Sequence, residues 1–477
     1  MRGRFLVPTM LIGLVGCVQS PEGIPQGPGR CEDGKCDGFG PADAEPDRDI
    51  GSDEEVWTVV QTHVHTTGMH ACSESPLGPG PLPEGECFSA DGVASFLEQA
   101  LDHGATDVLV TDHNSIEAWF DPAFRPLASQ DGRIATPLRG TEWTTADGHM
   151  NFFFPREVVD SPAEGLETGW MYPDGSKAEP GSEAEYAAAV DAVHAAGGLA
   201  IVNHPTLRIH PFPEATYGAD AVEVGVKRKM TGALQEPAST RLWWQRRLCE
   251  GDRVTGIAGA DHHYGESDIP FIDEPLFGVA VNLVRLDPGL PGVRAAAAAA
   301  ADPARAIDLR SDLVADAIAR GSVLVVRDVS SPRVFIGADV DGDGRFHDAR
   351  AGDCLLAEDL EGIDALPVRV RITQAAAEGT DGHFNVLFWT ADSSDEEWFW
   401  VELDPETGFE ADEHYVRDAS DPFAVTVMLP TDGRSRQFLR VEVERDVLGP
   451  LNEMAAVTNP IYLGDWGDEC EGSSVLH

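Results

Sequence analysis

Positive charge is what this sequence has least of: 34 Lys and Arg residues stand against 82 Asp and Glu, a formal net charge of −48. A surface of that sign repels phosphate backbones, so nucleic acid is excluded as an electrostatic partner, and anionic lipid headgroups are disfavoured. Long hydrophobic runs are also missing. The most apolar stretch, Phe5 to Gly16, is too short to span a bilayer comfortably. No closely spaced cysteine pair faces a second one, which argues against a zinc site built from thiolates. Core-forming material is not lacking. Hydrophobic residues make up 42% of the chain, ordinary for a globular protein and unlike a disordered acidic tail. The 477 residues suffice for two domains, or for one large domain with a satellite.

Arg2 and Arg4 precede the apolar run, which ends in Leu14-Val15-Gly16-Cys17. This ending resembles a bacterial lipobox. The resemblance implies that residues 1–17 are a signal segment, that Cys17 is acylated, and that the chain is exported and attached to a membrane through that lipid. Val18, not Asp, follows the cysteine, which favours the outer membrane, with the protein periplasmic or at the cell surface. Residues 18–54, rich in Pro, Gly and acids and without periodicity, read as a tether. In an oxidising compartment proximity favours pairing Cys31 with Cys36, Cys72 with Cys87 and Cys354 with Cys470, leaving Cys249 as a buried thiol in a helix.

From Val56 onward short apolar runs alternate with helical stretches. Val56–Val64 reads as a strand, and Asp91–His103 as a helix with Val93, Phe96, Leu97 and Leu101 on one face and Gly104 as its stop. The alternation continues to a strand at Val323–Arg327, about seven such units, and predicts a parallel sheet with helices outside, closed into a barrel. After Ser330 short strands are separated by Gly, Pro and Asp turns, which predicts an antiparallel β-sandwich. The expected architecture is therefore α/β: a TIM-like β/α barrel over 55–329 and a β-sandwich over 330–477.

Histidines and acids fall at the carboxyl ends of these strands. His63 and His65 close the first, with the i, i+2 spacing that turns both side chains to one face. Asp112-His113, Glu142, His204 and Asp261-His262-His263 end others, and His149 opens one. In a barrel such ends converge on one mouth. Any one of these residues is unremarkable, but together they would be costly to bury without a partner, and metal ions provide it.

These stretches, His-Val-His, Thr-Asp-His-Asn, Gly-Thr-Glu, Gly-His-Met, Asn-His-Pro and Gly-Ala-Asp-His-His, resemble the polymerase and histidinol phosphatase (PHP) superfamily, in its order and across about residues 56–328. Gly140-Thr141-Glu142-Trp143-Thr144-Thr145 and Ala221-Val222-Glu223-Val224 look most like its branch of carbaryl, carbamate and amide hydrolases. The resemblance implies a distorted seven-stranded β/α barrel. It also implies two or three divalent ions of zinc, manganese or iron. His63, His65, Glu142 and Asp261 would hold one ion. Glu142 would bridge to a second, held also by His149 and His204, and His113 and His263 would serve a third. His70 stands where many relatives have Asp; it is either a ligand of that third site or a loop histidine.

A water shared between cations would then attack a small-molecule substrate, either a phosphoester or an amide, ester or carbamate, with Glu142, Asp261 and His204 at the chemistry. The alternative is a non-catalytic, metal-stabilised surface lipoprotein that binds glycan or protein. Arg208, Lys227 and Arg228 are candidates for binding an anionic substrate, or are surface salt-bridge residues. His262 either orients substrate or faces solvent at the rim, Asp112 reads as support or packing, and Trp143 as pocket wall or packing. Asp339, Asp341 and Asp343 resemble a calcium loop, but Arg350 occupies the position of its closing acid. A solvated hairpin turn is the favoured reading, with Asp348 or Asp353 as substitutes if calcium binds.

Overall fold

The computed structural model describes residues 56–66, 88–113, 115–144, 148–156, 183–206, 212, 215–226, 237–264, 280–286, 303–373, 383–392, 397–404, 409–410, 415–416, 423–431, 436–445, 453–466 and 470. His70, Cys17, Arg208, Lys227, Arg228 and the cysteines at 31, 36, 72 and 87 lie outside them, as do residues 1–17 and 18–54, for which a signal segment and a tether were expected.

Strand β1 (Val56–His65) anchors the sheet. It runs parallel to β2 (Asp107–Val110), which runs parallel to β3 (Ile134–Thr144). Strand β4 (His149–Phe153) is antiparallel to β3 and to β5 (Leu199–Asn203). Parallel pairing resumes through β6 (Ala221–Val226) and β7 (Thr255–Gly259). The short β8 (His262–His263) lies beside β1 again, and the sheet closes.

The other edge of β1 carries the sheet onward. Strands β9 (Val281–Leu286) and β10 (Val323–Val326) add antiparallel. Further along the chain lie β11 (Arg333–Ala338), β12 (Ala365–Thr373), β13 (His383–Asp392), β14 (Phe423–Pro430), β15 (Arg436–Arg445) and β16 (Glu453–Thr458). Strand β10 pairs with β16, β16 with β15 and β15 with β13, all antiparallel. Ala349–Arg350, β11, β12 and β14 form a second, four-stranded sheet. Its Val334, Ile336, Val368 and Val370 share one buried cluster with Val281, Leu324, Val441 and Ala456 of the main sheet.

This corrects the expected fold. The chain is dominated by one large mixed sheet with four α-helices among the described residues, not a helix-wrapped TIM-like barrel carrying a separate β-sandwich. Two physical reasons stand out. Residues 145–148 are too few for the crossover that a parallel connection needs, so β4 turns back on β3. Strands buried on both faces also read as continuous apolar runs whichever way they pair, so β9, β10 and β16 gave no sign that they extend the same sheet.

The helices are α1 (Ala90–His103), α2 (Glu183–Ala195), α3 (Pro237–Glu250) and α4 (Pro303–Ala319). In α1, Ser89 caps the start by accepting the Gly92 N–H, and Gly104, in the left-handed conformation, closes the end. Val93, Phe96, Leu97, Ala100 and Leu101 form its buried stripe, each large side chain contributing roughly 1.5–3 kcal/mol. Cys354 and Cys470 form a disulfide, and Cys249 is buried and outside any disulfide.

Candidate metal centre

The carboxyl ends of β1, β3, β5 and β7 meet around one buried carboxylate. Glu142, with no solvent exposure, points both oxygens at imidazoles. Its Oε1 lies 3.1 Å from His63 Nε2, 3.1 Å from His149 Nδ1 and 3.6 Å from His204 Nε2. Its Oε2 lies 2.5 Å from His113 Nδ1 and 3.8 Å from His65 Nε2. Asp261 Oδ1 approaches His65 Nε2 at 3.4 Å, His63 Nε2 at 3.6 Å and His263 Nδ1 at 3.7 Å. The His65 ring packs against both His113 and His263, at centroid distances of 4.1 and 4.2 Å, and those two rings lie 5.5 Å from each other. Thus His63, His65, His113, Glu142, His149, His204, Asp261 and His263 share one buried cluster.

The backbone is strained where the cluster forms. His63, His204 and Asp261 have positive φ values of 62°, 28° and 47°, a region that side-chain-bearing residues rarely occupy. The pairing of β1 with β2 slips between Gln61 and Val64, so His63 sits on a bulge rather than in a regular pleat. Strict alternation along the strand therefore does not account for where His63 points. The bulge delivers it.

Burial and mutual charge set the protonation states. Burial would raise the Glu142 carboxyl, but His149, His113 and His63 hold it well below the usual carboxylate range. Burial pushes His65 well below the ordinary histidine value, and His113 and His263 add to this. Burial likewise takes His149 down to about 4, against the pull of Glu142. For His63 burial is outweighed by Glu223, Glu142 and Asp261, and its value is raised. The ionised Glu142 and the neutral His65 and His149 are in the forms that bind cations, whereas His63 would release a proton to do so.

Three groups of side chains offer ligand atoms within reach of a shared ion: His63, Glu142 and His204; His63, His65 and Asp261; and His65, His113 and His263. Hydrogen bonding fits such ions. His63 Nε2, both ring nitrogens of His65, and His204 Nδ1 are buried without a hydrogen-bond partner among the described residues. Each such atom costs about 1–3 kcal/mol if nothing satisfies it, and a cation satisfies an imidazole lone pair. Buried His, Glu and Asp groups able to hold metal ions are therefore present.

The remaining candidates fall elsewhere. His262 is buried and its ring meets Phe96 of α1 edge-on at 5.3 Å, so it packs beneath the cluster instead of standing at a solvent-facing rim. Asp112 accepts the Thr66 N–H at 2.6 Å and its hydroxyl at 2.8 Å, which fixes the chain just after His65. Trp143 packs against Phe152 and Tyr186. In the Asp339 turn, Asp339 accepts the N–H groups of Gly342 and Gly344, and Asp348 those of Val340 and Asp341. The acids that approach one another there are Asp339, Asp341 and Asp348, while Asp343 accepts the Arg345 N–H.

Two residues without an expected role touch the cluster. Asn203 donates to Glu142 Oε1 at 2.8 Å and accepts the Asn151 N–H. Glu223 contacts His63 and the backbone of His204. A carboxylate inside the apolar run Ala221-Val222-Glu223-Val224 was the available signal, since a buried charge requires a partner. Neither a scan against protein-family models nor a search of curated proteins finds a match to this chain.

Proposed function

We propose that this chain is a metal-dependent hydrolase of the PHP type, exported as a lipoprotein and acting on a small-molecule phosphoester, amide, ester or carbamate. One observation carries the reading. Six histidines and two acids from separate parts of the chain gather in one buried cluster, with several ring nitrogens that make no hydrogen bond among the described residues. A purely structural site closes its coordination with fewer ligands.

His63, His65, His113, His149, His204, His263, Glu142 and Asp261 would hold the ions, with Glu142 at their centre. When bound, divalent cations of zinc, manganese or iron lower the pKa of water and neutralise charge that develops on a substrate oxygen. The chain's own residues do the rest. Asn203 orients Glu142 through its amide N–H. Asp112 holds Thr66, and with it the end of β1. The apolar packing of Trp143, Phe152 and Tyr186 supports the β3–β4 hairpin that presents Glu142 and His149.

The test is hydrolysis of p-nitrophenyl phosphate, bis-p-nitrophenyl phosphate and 1-naphthyl carbamates by purified protein, with and without chelator, alongside His63→Ala. Activity on one class that chelator and His63→Ala both abolish is expected. Turnover indifferent to both removes the reading.

A further inference from the structure

Glu223 lies on β6 and is fully buried. Oε1 is 2.6 Å from Nδ1 of His63, and Oε2 accepts the backbone N–H of His204 at 2.8 Å. One carboxylate thus spans the two residues that carry positive φ on β1 and after β5. It sits at an irregularity of its own, since the pairing of β6 with β7 slips between Glu223 and Gly225. Gly259 on the neighbouring strand makes room for it. A Cβ there would occupy the space of the Glu223 carboxylate.

We infer that Glu223 is a positioning residue that fixes the His63 tautomer and the His204 backbone, so that both imidazoles present a lone pair to the same ion. This rests on the metal-centre reading given above. The chemistry follows from what each group can donate. The His204 backbone N–H is an obligatory donor, and an ionised carboxylate only accepts. With Oε1 beside His63 Nδ1, the ring proton sits on Nδ1 and the lone pair on Nε2. That atom is the one turned toward Glu142 and Asp261, at 3.1 and 3.6 Å. The other oxygen, Oε2, holds the backbone N–H of His204 at its strained φ of 28°. Outer carboxylates that accept the second N–H of a ligating histidine set its orientation and raise its basicity, and losing one weakens metal binding.

Glu223→Gln separates this from simple packing, because it keeps the size of the side chain. A single amide oxygen can accept from His63 or from His204, not both. If the NH₂ group faces His63, Nδ1 becomes the acceptor and the proton moves to Nε2, which then cannot ligate. If it faces His204, two donors oppose each other. Gly259→Ala leaves the carboxylate in place chemically but displaces it, and carries the test should the glutamine variant fail to fold.

The experiment loads full-length protein with Zn²⁺, measures affinity by competition with a chelator, and reads the protonated ring nitrogen of each histidine by NMR of ¹⁵N-histidine-labelled protein. Wild type is expected to take up Zn²⁺ and to show His63 protonated at Nδ1. Both variants are expected to bind Zn²⁺ roughly 10- to 100-fold more weakly and to lose or shift that Nδ1–H signal. Variants with wild-type affinity overturn the inference. So does weakened affinity with an unchanged His63 signal, which would mark general loosening. Failure of the wild type itself to bind Zn²⁺ or any other divalent ion is a separate result that removes the parent reading and this inference with it.

Discussion

Oε2 of Glu142 lies 2.5 Å from Nδ1 of His113, while its other oxygen sits 3.1 Å from both His63 and His149. One buried carboxylate therefore counters histidines on β1, on β4 and in the chain after β2. Glu142→Ala is expected to leave those rings without their common partner and to lower the stability of chelator-treated protein by about 3–5 kcal/mol. Under the proposed function it should also remove metal binding and hydrolysis together. Urea unfolding of the chelated protein measures the first effect; a variant as stable as wild type would show that the carboxylate is not the organising group.

A second buried network binds α3 to the C-terminal strands. Arg440 donates to Glu442 and to Gln245 Oε1 at 2.8 Å, and its guanidinium lies 4.7 Å over the Trp244 ring. Arg241 donates to Glu442 Oε2 at 3.1 Å. Burial would raise the Glu442 carboxyl, but Arg440 and Arg241 hold it below its ordinary value of 4.5. A depressed carboxylate contributes stability that is complete above the unfolded value and is lost as pH falls through the folded one. Glu442→Gln should therefore flatten the acid limb of a stability–pH curve below about pH 4.5. An acid limb identical to wild type would rule the pair out as a source of stability.

The Cys354–Cys470 disulfide closes a loop with a sequence separation of 116 and ties the strand at Cys354–Leu355 to the chain beyond Ile461–Gly464, with which that strand pairs. Cross-links over loops of this length restrict the unfolded chain strongly. Replacing both cysteines with alanine is expected to cost about 2–5 kcal/mol, read as a lower urea midpoint. Reductant should lower the wild-type midpoint comparably and the midpoint of the double variant by less.

Asn203 gives a finer test of the centre. Its amide joins Glu142 to the β4 backbone through the Asn151 N–H. Asn203→Ala is expected to reduce metal affinity roughly 10-fold without preventing folding. Unchanged affinity in a chelator competition would make Asn203 a packing residue only.

Much of the local structure was legible because its signals are local. The apolar stripe from Val93 to Leu101 and the stop at Gly104 mark α1 within a residue of Ala90–His103. The strands at Leu199–Asn203 and Arg436–Arg445 announce themselves by composition. Pairing direction and partner are not local properties. Nothing in Val323–Val326 says that its neighbour is Glu453–Thr458, and so the continuity of the sheet was missed. The site fared differently because charge at strand ends is conspicuous in sequence, as at His63, Glu142 and Asp261. The bulge at His63 and the partnership of Glu223 with two distant histidines depend on strands meeting in space.

The most direct measurement is elemental analysis of the purified protein, wild type beside Glu142→Ala. The proposed metal centre predicts more than one divalent ion per wild-type chain, and a loss in the variant. A wild-type chain that carries no divalent metal, and takes none up on addition of zinc, manganese or iron, would contradict it.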